Sequence, residues 1–251
     1  MYKPKLVVCA GAGISAESGI PTFRNADGKG LWENHNLRVV CDMTTFYDNY
    51  IASNDFYIER VEKFTGAQPN LAHKKIAEMQ SDFDVICITS NVDTLFEQAG
   101  VAPDRVMHIH GRLDEVVTNY GTKEHKINKI SSSDDYRKLF ADNKNYPVKP
   151  NVVFFGENAP LYQSMYNTFQ DMNNNDLMLV IGSSEQVVDF CYEARFSGYT
   201  GRIFFVNTDR ELCDKKVSLH NVLPFYGTAV DFFQRTNRDG IGLYSFPTGE
   251  E

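Results

Sequence analysis

The sequence predicts a doubly wound α/β fold, a mostly parallel sheet with helices on both faces. Two observations carry this expectation. Six apolar runs of strand length, "KLVVCA" (5–10), "DVICIT" (84–89), "RVMHIH" (105–110), "NVVFF" (151–155), "DLMLVIG" (176–182) and "RIFFVN" (202–207), are continuous rather than alternating, as strands covered on both faces require. Between them, "TTFYDNYIASNDFYIERVEKF", "NLAHKKIAEMQ", "PLYQSMYNTFQDM" and "QVVDFCYEARFS" place apolar residues at helical spacing. Strands alternating with helices build a parallel sheet through crossovers.

Two segments break the rhythm. Residues 25–42 form a long glycine-containing stretch that reads as cover over a site. Residues 114–149 are polar, rich in Lys, Ser, Asp and Asn, and read as a small inserted module. The expected organisation is one domain over 1–251, with 25–65 supplying a loop over the site and the helical part of a small module and 112–150 inserting the rest. At 251 residues, 42% of them apolar, the chain is long enough for a substantial core. The net charge of -8 with dispersed Lys and Arg argues against a nucleic-acid partner. The apolar run that ends at Gly11 is too short for a membrane span. The expectation is a cytoplasmic protein without a membrane partner. Its five widely spaced cysteines include no CxxC clip and read as reduced, buried thiols.

Directly after the first run, Gly11, Gly13 and Ala16 fit G-x-G-x-x-G/A. Glycine lets a backbone approach a pyrophosphate, and a following helix start offers free N–H groups to the anion. Alone, the match is equally a tight turn. The wider series is more specific: "GAGISAESGIPTFR" (11–24), "GLW" (30–32), "QPNLAH" (68–73), "TSNVDTLFEQAG" (89–100), "IHG" (109–111), "KPNVVFFGENAP" (149–160), "IGSS" (181–184) and "VN" (206–207) occur in one order. Together they resemble the sirtuin family, the NAD-dependent protein deacylases, over roughly residues 6–229.

The resemblance implies a Rossmann-like sheet and a small module with NAD between them and an acyl-lysine protein or peptide as substrate. Gly11, Ala12, Gly13 and Ser15 match the first phosphate turn, and Phe23 with Arg24 the pair that shields the anomeric carbon and orders the cofactor loop. Ser90 stands at the usual Gln beside Asn91. Asn91 and Asp93 match the pair lining the nicotinamide pocket, and either residue equally suits a helix cap. His110 matches the general base, for which an imidazole's ordinary pKa is suited. His108 would share its face on a regular strand. Gly182, Ser183 and Ser184 match the second turn, Asn207 the adenosine ribose contact, and Ala229 a turn near the adenine. Val153, Phe154, Phe155, Gly156 and Glu157 match the segment that pairs with an extended peptide. Tyr57 and Arg60 have the Tyr-x-x-Arg spacing of members that remove succinyl and malonyl groups. At i and i+3 they share a helix face, which fits a carboxylate clamp and an ordinary amphipathic helix alike.

Three departures stand out. Residues 112–156 contain no cysteine, where most deacylases carry a zinc ribbon; His125 alone cannot make a four-ligand site, so no metal is expected. Ser90 for Gln is expected either to lose a ribose contact or to pass it to water. Glu185 replaces an apolar residue, placing a carboxylate beside the expected peptide groove. Beside the deacylase reading stand an NAD hydrolase or ADP-ribosyltransferase on the same fold, and a non-catalytic nucleotide sensor.

Overall fold

A computed structural model describes residues 3–22 and 36–238. Its larger layer is a six-stranded sheet, ordered β3-β2-β1-β7-β8-β9. The strands are β1 (Lys5–Ala10), β2 (Asp84–Thr89), β3 (Val106–His108), β7 (Leu177–Ile181), β8 (Arg202–Asn207) and β9 (Val222–Tyr226), all parallel to their neighbours. Leu6, Val8, Leu177 and Leu179 point into one core with Ile76, Phe96 and Phe232. Val7, Cys9, Met178 and Val180 point into the other with Met165, Phe169 and Phe190. Alternate residues of each strand feed opposite cores, so the whole run must be apolar.

The helices are α1 (Leu37–Val40), α2 (Tyr50–Phe64), α3 (Leu71–Glu78), α4 (Leu95–Ala99), α5 (Ser133–Asp142), α6 (Tyr162–Gln170), α7 (Phe190–Phe196), α8 (Arg210–Val217) and α9 (Ala229–Arg238). Asn70 caps α3, accepting from the Ala72 N–H, and Ser132 with Asp135 forms a capping box on α5.

The run at 151–155 corrects the sequence expectation. Its strand, β6 (Lys149–Val152), lies outside the parallel sheet, antiparallel to β4 (Gly111–Thr118), which also pairs β5 (Lys126–Lys129). This small sheet and helices α1, α2 and α5 enclose a third core of Phe46, Phe56, Tyr57, Val116, Tyr136, Val148 and Phe154. The Tyr136 hydroxyl donates to Asn54 Oδ1 at 2.9 Å, keying α5 onto α2. The third core's one cysteine, Cys41, is a free buried thiol, and aromatic packing supports the module. The run at 105–110 also ends early. Its strand stops at His108, and Gly111, at φ +85°, turns the chain from the parallel sheet into the small one. A Cβ there would lie 2.0 Å from the Asn151 carbonyl oxygen, so glycine is required. β9 escapes the apolar pattern because Pro224 interrupts it, a residue an edge strand tolerates.

Candidate active site

The loops after β1 and β7 meet where the strand order reverses. Gly11 N–H donates to the Ile181 carbonyl at 3.1 Å and Gly13 N–H to the Gly182 carbonyl at 2.8 Å. A Cβ on Gly13 would sit 2.7 Å from the Gly182 Cα, and one on Gly182, at φ +64°, would sit 2.3 Å from the Ile14 nitrogen. The glycines are therefore demanded first by loop against loop. The Gly13 N–H is already paired within the protein. The segment that follows, Ala12–Ser18, is a 3₁₀ helix.

Ser15, fully buried, joins the two residues matched to the nicotinamide pocket. Its hydroxyl donates to Asp93 Oδ2 at 2.9 Å and accepts from Asn91 Nδ2 at 3.3 Å. Asn91 Nδ2 also donates to the Gly11 carbonyl at 3.1 Å, tying the strand ends of β1 and β2. Asp93 Oδ1 accepts from the Leu95 N–H at 3.1 Å, so it serves the first N–H of α4 from the residue before the N-cap, Thr94. Burial pushes the Asp93 carboxyl above the ordinary carboxylate value, against the bonds from Leu95 and Ser15. The Ser90 N–H and hydroxyl both serve the Ala10 carbonyl, at 3.0 and 3.3 Å.

The two strand histidines part company. His108 is buried, with Nδ1 3.1 Å from the Asn91 carbonyl and Nε2 2.9 Å from Glu97 Oε1. Glu97 in turn pairs with Arg112 at 2.6 Å, so His108 belongs to a structural network. His110 lies beyond the strand end, half-buried, with Nε2 2.9 Å from the Tyr162 hydroxyl. Burial lowers its pKa below 6.5, against a hydrogen bond to the Ser90 backbone. Its carbonyl accepts from the Val153 N–H at 2.9 Å, anchoring the ring to the expected acceptor segment.

The second turn is also tied down. Asn207 Nδ2 donates to the Ser183 carbonyl at 2.6 Å, and Ser183 Oγ accepts from the Glu185 N–H at 3.1 Å. Ser184 is exposed. Ala229 is buried in the core at the start of α9. Glu185 does not line a groove: its carboxylate is buried 2.6 Å from Lys216 Nζ. Burial and the hydrogen bond with Asp189 push it up to about 8, with Lys216 opposing. Phe23 and Arg24 lie outside the described residues.

In the acceptor segment, the Phe155 N–H donates to the Cys41 carbonyl and its own carbonyl accepts from Met43, both at 2.9 Å. Phe154 N–H donates to Glu157 Oε2 at 2.7 Å. The exposed Gly156, at φ +85°, is thus left as the open main chain. Glu157 also accepts from the Tyr120 hydroxyl and pairs with the buried Lys149 Nζ at 2.9 Å. That ammonium sits 3.8 Å over the Phe154 ring. Tyr57 stacks on Phe154 from beneath, rings 5.5 Å apart, a contact worth about 1 kcal/mol. Its hydroxyl bonds the Cys41 thiol. Arg60 is buried with its guanidinium 4.3 Å over Phe56.

Sequence reasoning passed over Tyr162, Lys149 and Lys216. Each acts through a partner distant in sequence, and no local spacing marks it.

A crevice at the point of strand-order reversal is where doubly wound folds take dinucleotides. Here both turns bring backbone to it, with an amide and a carboxylate fixed alongside, a donor set that fits NAD. The class is a dinucleotide-using α/β enzyme. The family follows from sequence: the Sir2 family model matches residues 11–189, and the chain belongs to the Sir2 family. An NAD-dependent protein deacylase of Helicobacter hepaticus is 35% identical over 224 residues, covering 80% of this chain and 82% of its own. One from Aggregatibacter actinomycetemcomitans is 37% identical, covering 74% and 84%. A solved mutant Sir2 homologue in complex with ADP-ribose superposes with a TM-score of 0.77 at 28% identity, covering 94% of this chain and 92% of its own. A Sir2 homologue–NAD complex gives 0.75 at 28% identity, with 96% and 91% covered.

Proposed function

We infer that the protein is an NAD-dependent protein lysine deacylase that transfers the acyl group to ADP-ribose and releases nicotinamide. The observation that carries this reading is the meeting of three elements at one crevice: the paired glycine turns, the Asn91–Ser15–Asp93 cluster and the His110 imidazole. Bound NAD supplies an anomeric carbon whose bond to nicotinamide can be broken and ribose hydroxyls that can receive the acyl group. Asn91 and Asp93 orient the carboxamide, held by Ser15 so that little reorganisation is needed. The turns at Gly11–Gly13 and Gly182–Ser184 cradle the diphosphate and ribose, with Asn207 fixing the second turn; by their place in the family motif, Phe23 and Arg24 are the pair assigned to shield the anomeric carbon and order the cofactor loop. His110, neutral near pH 7, takes the proton of a ribose hydroxyl. The peptide lies along Gly156 and Glu157, with Val153, Phe154 and Phe155 holding that edge in place.

For the acyl group, Tyr57 and Arg60 lie about one turn apart on α2, Tyr57 against Phe154 and Arg60 over Phe56. A buried guanidinium and a phenol favour a distal carboxylate, so succinyl or malonyl lysine is the preferred substrate.

Mass spectrometry of products from NAD with acetyl peptide, succinyl peptide and no peptide tests both statements. The expected result is O-acyl-ADP-ribose and deacylated peptide in equal amounts, with the succinyl peptide faster. Equal NAD turnover without peptide would instead identify a hydrolase.

A further inference from the structure

In the described structure Nε2 of His110 faces the Tyr162 hydroxyl at 2.9 Å, and the Ser90 backbone beside the ring favours a proton on it. Of the backbone groups only the carbonyl, an acceptor, does so. With Nε2 turned to the phenol, the nitrogen that serves Ser90 is Nδ1, so Nδ1 carries the proton and Nε2 holds the lone pair. The bond to Tyr162 therefore runs from the phenol O–H to Nε2.

A base with its lone pair already taken can receive a proton in two ways: its partner leaves, or its partner passes the proton on. Tyr162 is badly placed to leave. It opens α6, and its ring packs on the core beneath the sheet beside Met165 and Phe169. Burial, and after it Tyr166 on α6 and Glu193 on α7, which face it, holds the phenol above its ordinary value, so it keeps its proton near neutrality. A phenol oxygen both donates and accepts, which suits it to passing a proton.

We propose that Tyr162 is a catalytic proton relay between an incoming ribose hydroxyl and Nε2 of His110. The phenol O–H bond breaks as Nε2–H forms, and the phenol oxygen takes the proton of the hydroxyl on its far side. The tyrosine ends neutral, the imidazole carries the positive charge, and the ribose oxygen keeps the electron pair with which it attacks. The identity of that hydroxyl rests on the deacylase reading; the engagement of Nε2 does not.

Two variants and two readouts test the relay. In the ligand-free protein, diethyl pyrocarbonate attacks neutral imidazole, and mass spectrometry reads each site, with the exposed His125 and His220 as internal references. Tyr162→Phe should speed modification of His110 about tenfold, and Tyr162→Gln, which keeps a donor, should not. In turnover, both variants should lose about 100-fold in kcat, the scale of one general acid–base step, at unchanged KM for NAD. The Gln variant also keeps the test valid if the Phe variant folds poorly. An unchanged His110 reactivity in Tyr162→Phe would overturn the hydrogen bond. Faster modification with kcat kept or raised would overturn the relay and leave Tyr162 as a blocking group. A wild type that consumes no NAD defeats the deacylase reading and the relay with it, while the modification rates still decide whether Tyr162 engages Nε2.

Discussion

Burial holds the His110 imidazole below its ordinary 6.5, so the ring is neutral at pH 7 and ready to accept a proton. The acid limb of the pH profile of kcat/KM should therefore lie below pH 6.5, and His110→Ala should cost about 10²- to 10⁴-fold in kcat. Loss of less than tenfold at saturating NAD would point to another base. At Arg60, the carboxylate clamp is tested by Arg60→Met, which should cut succinyl-peptide turnover at least tenfold more than acetyl-peptide turnover. Equal losses for the two peptides would make Arg60 a packing residue. Asn91, Asp93 and His110 stand out in the sequence because their motifs are contiguous. Ser15, matched to the phosphate turn, also donates its hydroxyl to Asp93, a contact across 78 residues that no local spacing marks.

Glycine turns and the small sheet set the site at the next scale up. Gly182 combines a left-handed backbone with a 2.3 Å approach to Ile14. Gly182→Ala should therefore cost about 1–3 kcal/mol from the backbone conformation alone and weaken NAD binding by tenfold or more, read by calorimetry. Lys149 is 3% exposed and pairs with Glu157 at the acceptor segment. Breaking a buried pair by removing one partner costs about 3–5 kcal/mol. Lys149→Met should lower the melting temperature and raise the KM for peptide with little change in KM for NAD. A variant with wild-type melting and peptide KM would dismiss Lys149 as a support of that edge. Strand β6 was legible as an apolar run, but not its sheet. A four-residue strand carries no mark of parallel or antiparallel partners.

Across the molecule, two buried groups give stability opposite pH dependences. His73 is fully buried against Phe96, with desolvation holding it at about 4. The unfolded chain then binds the proton first, so this contribution is intact above pH 6.5 and lost as pH falls toward 4. Glu185 is pushed up from 4.5 to about 8; its contribution is intact below pH 4.5 and fades as pH rises toward 8. Relative to wild type, His73→Leu should melt higher at pH 5 than at pH 7.5, and Glu185→Gln should gain more at pH 8.5 than at pH 5. Parallel melting curves at every pH would contradict both. The third core, built on Phe46, Tyr57, Tyr136 and Phe154, should make melting insensitive to a chelator.

By itself the sequence determined the parallel sheet, the crevice turns and the family. Each is written in contiguous residues whose periodicity or spacing answers to local backbone physics. Only the tertiary structure decided that the glycines serve one loop against another, that His108 is structural while His110 meets Tyr162, and that Glu185 turns inward to Lys216. Those outcomes depend on which distant side chain arrives at a few ångströms, and hydrogen-bond geometry and desolvation at that range are fixed by packing, not by the order of residues along the chain.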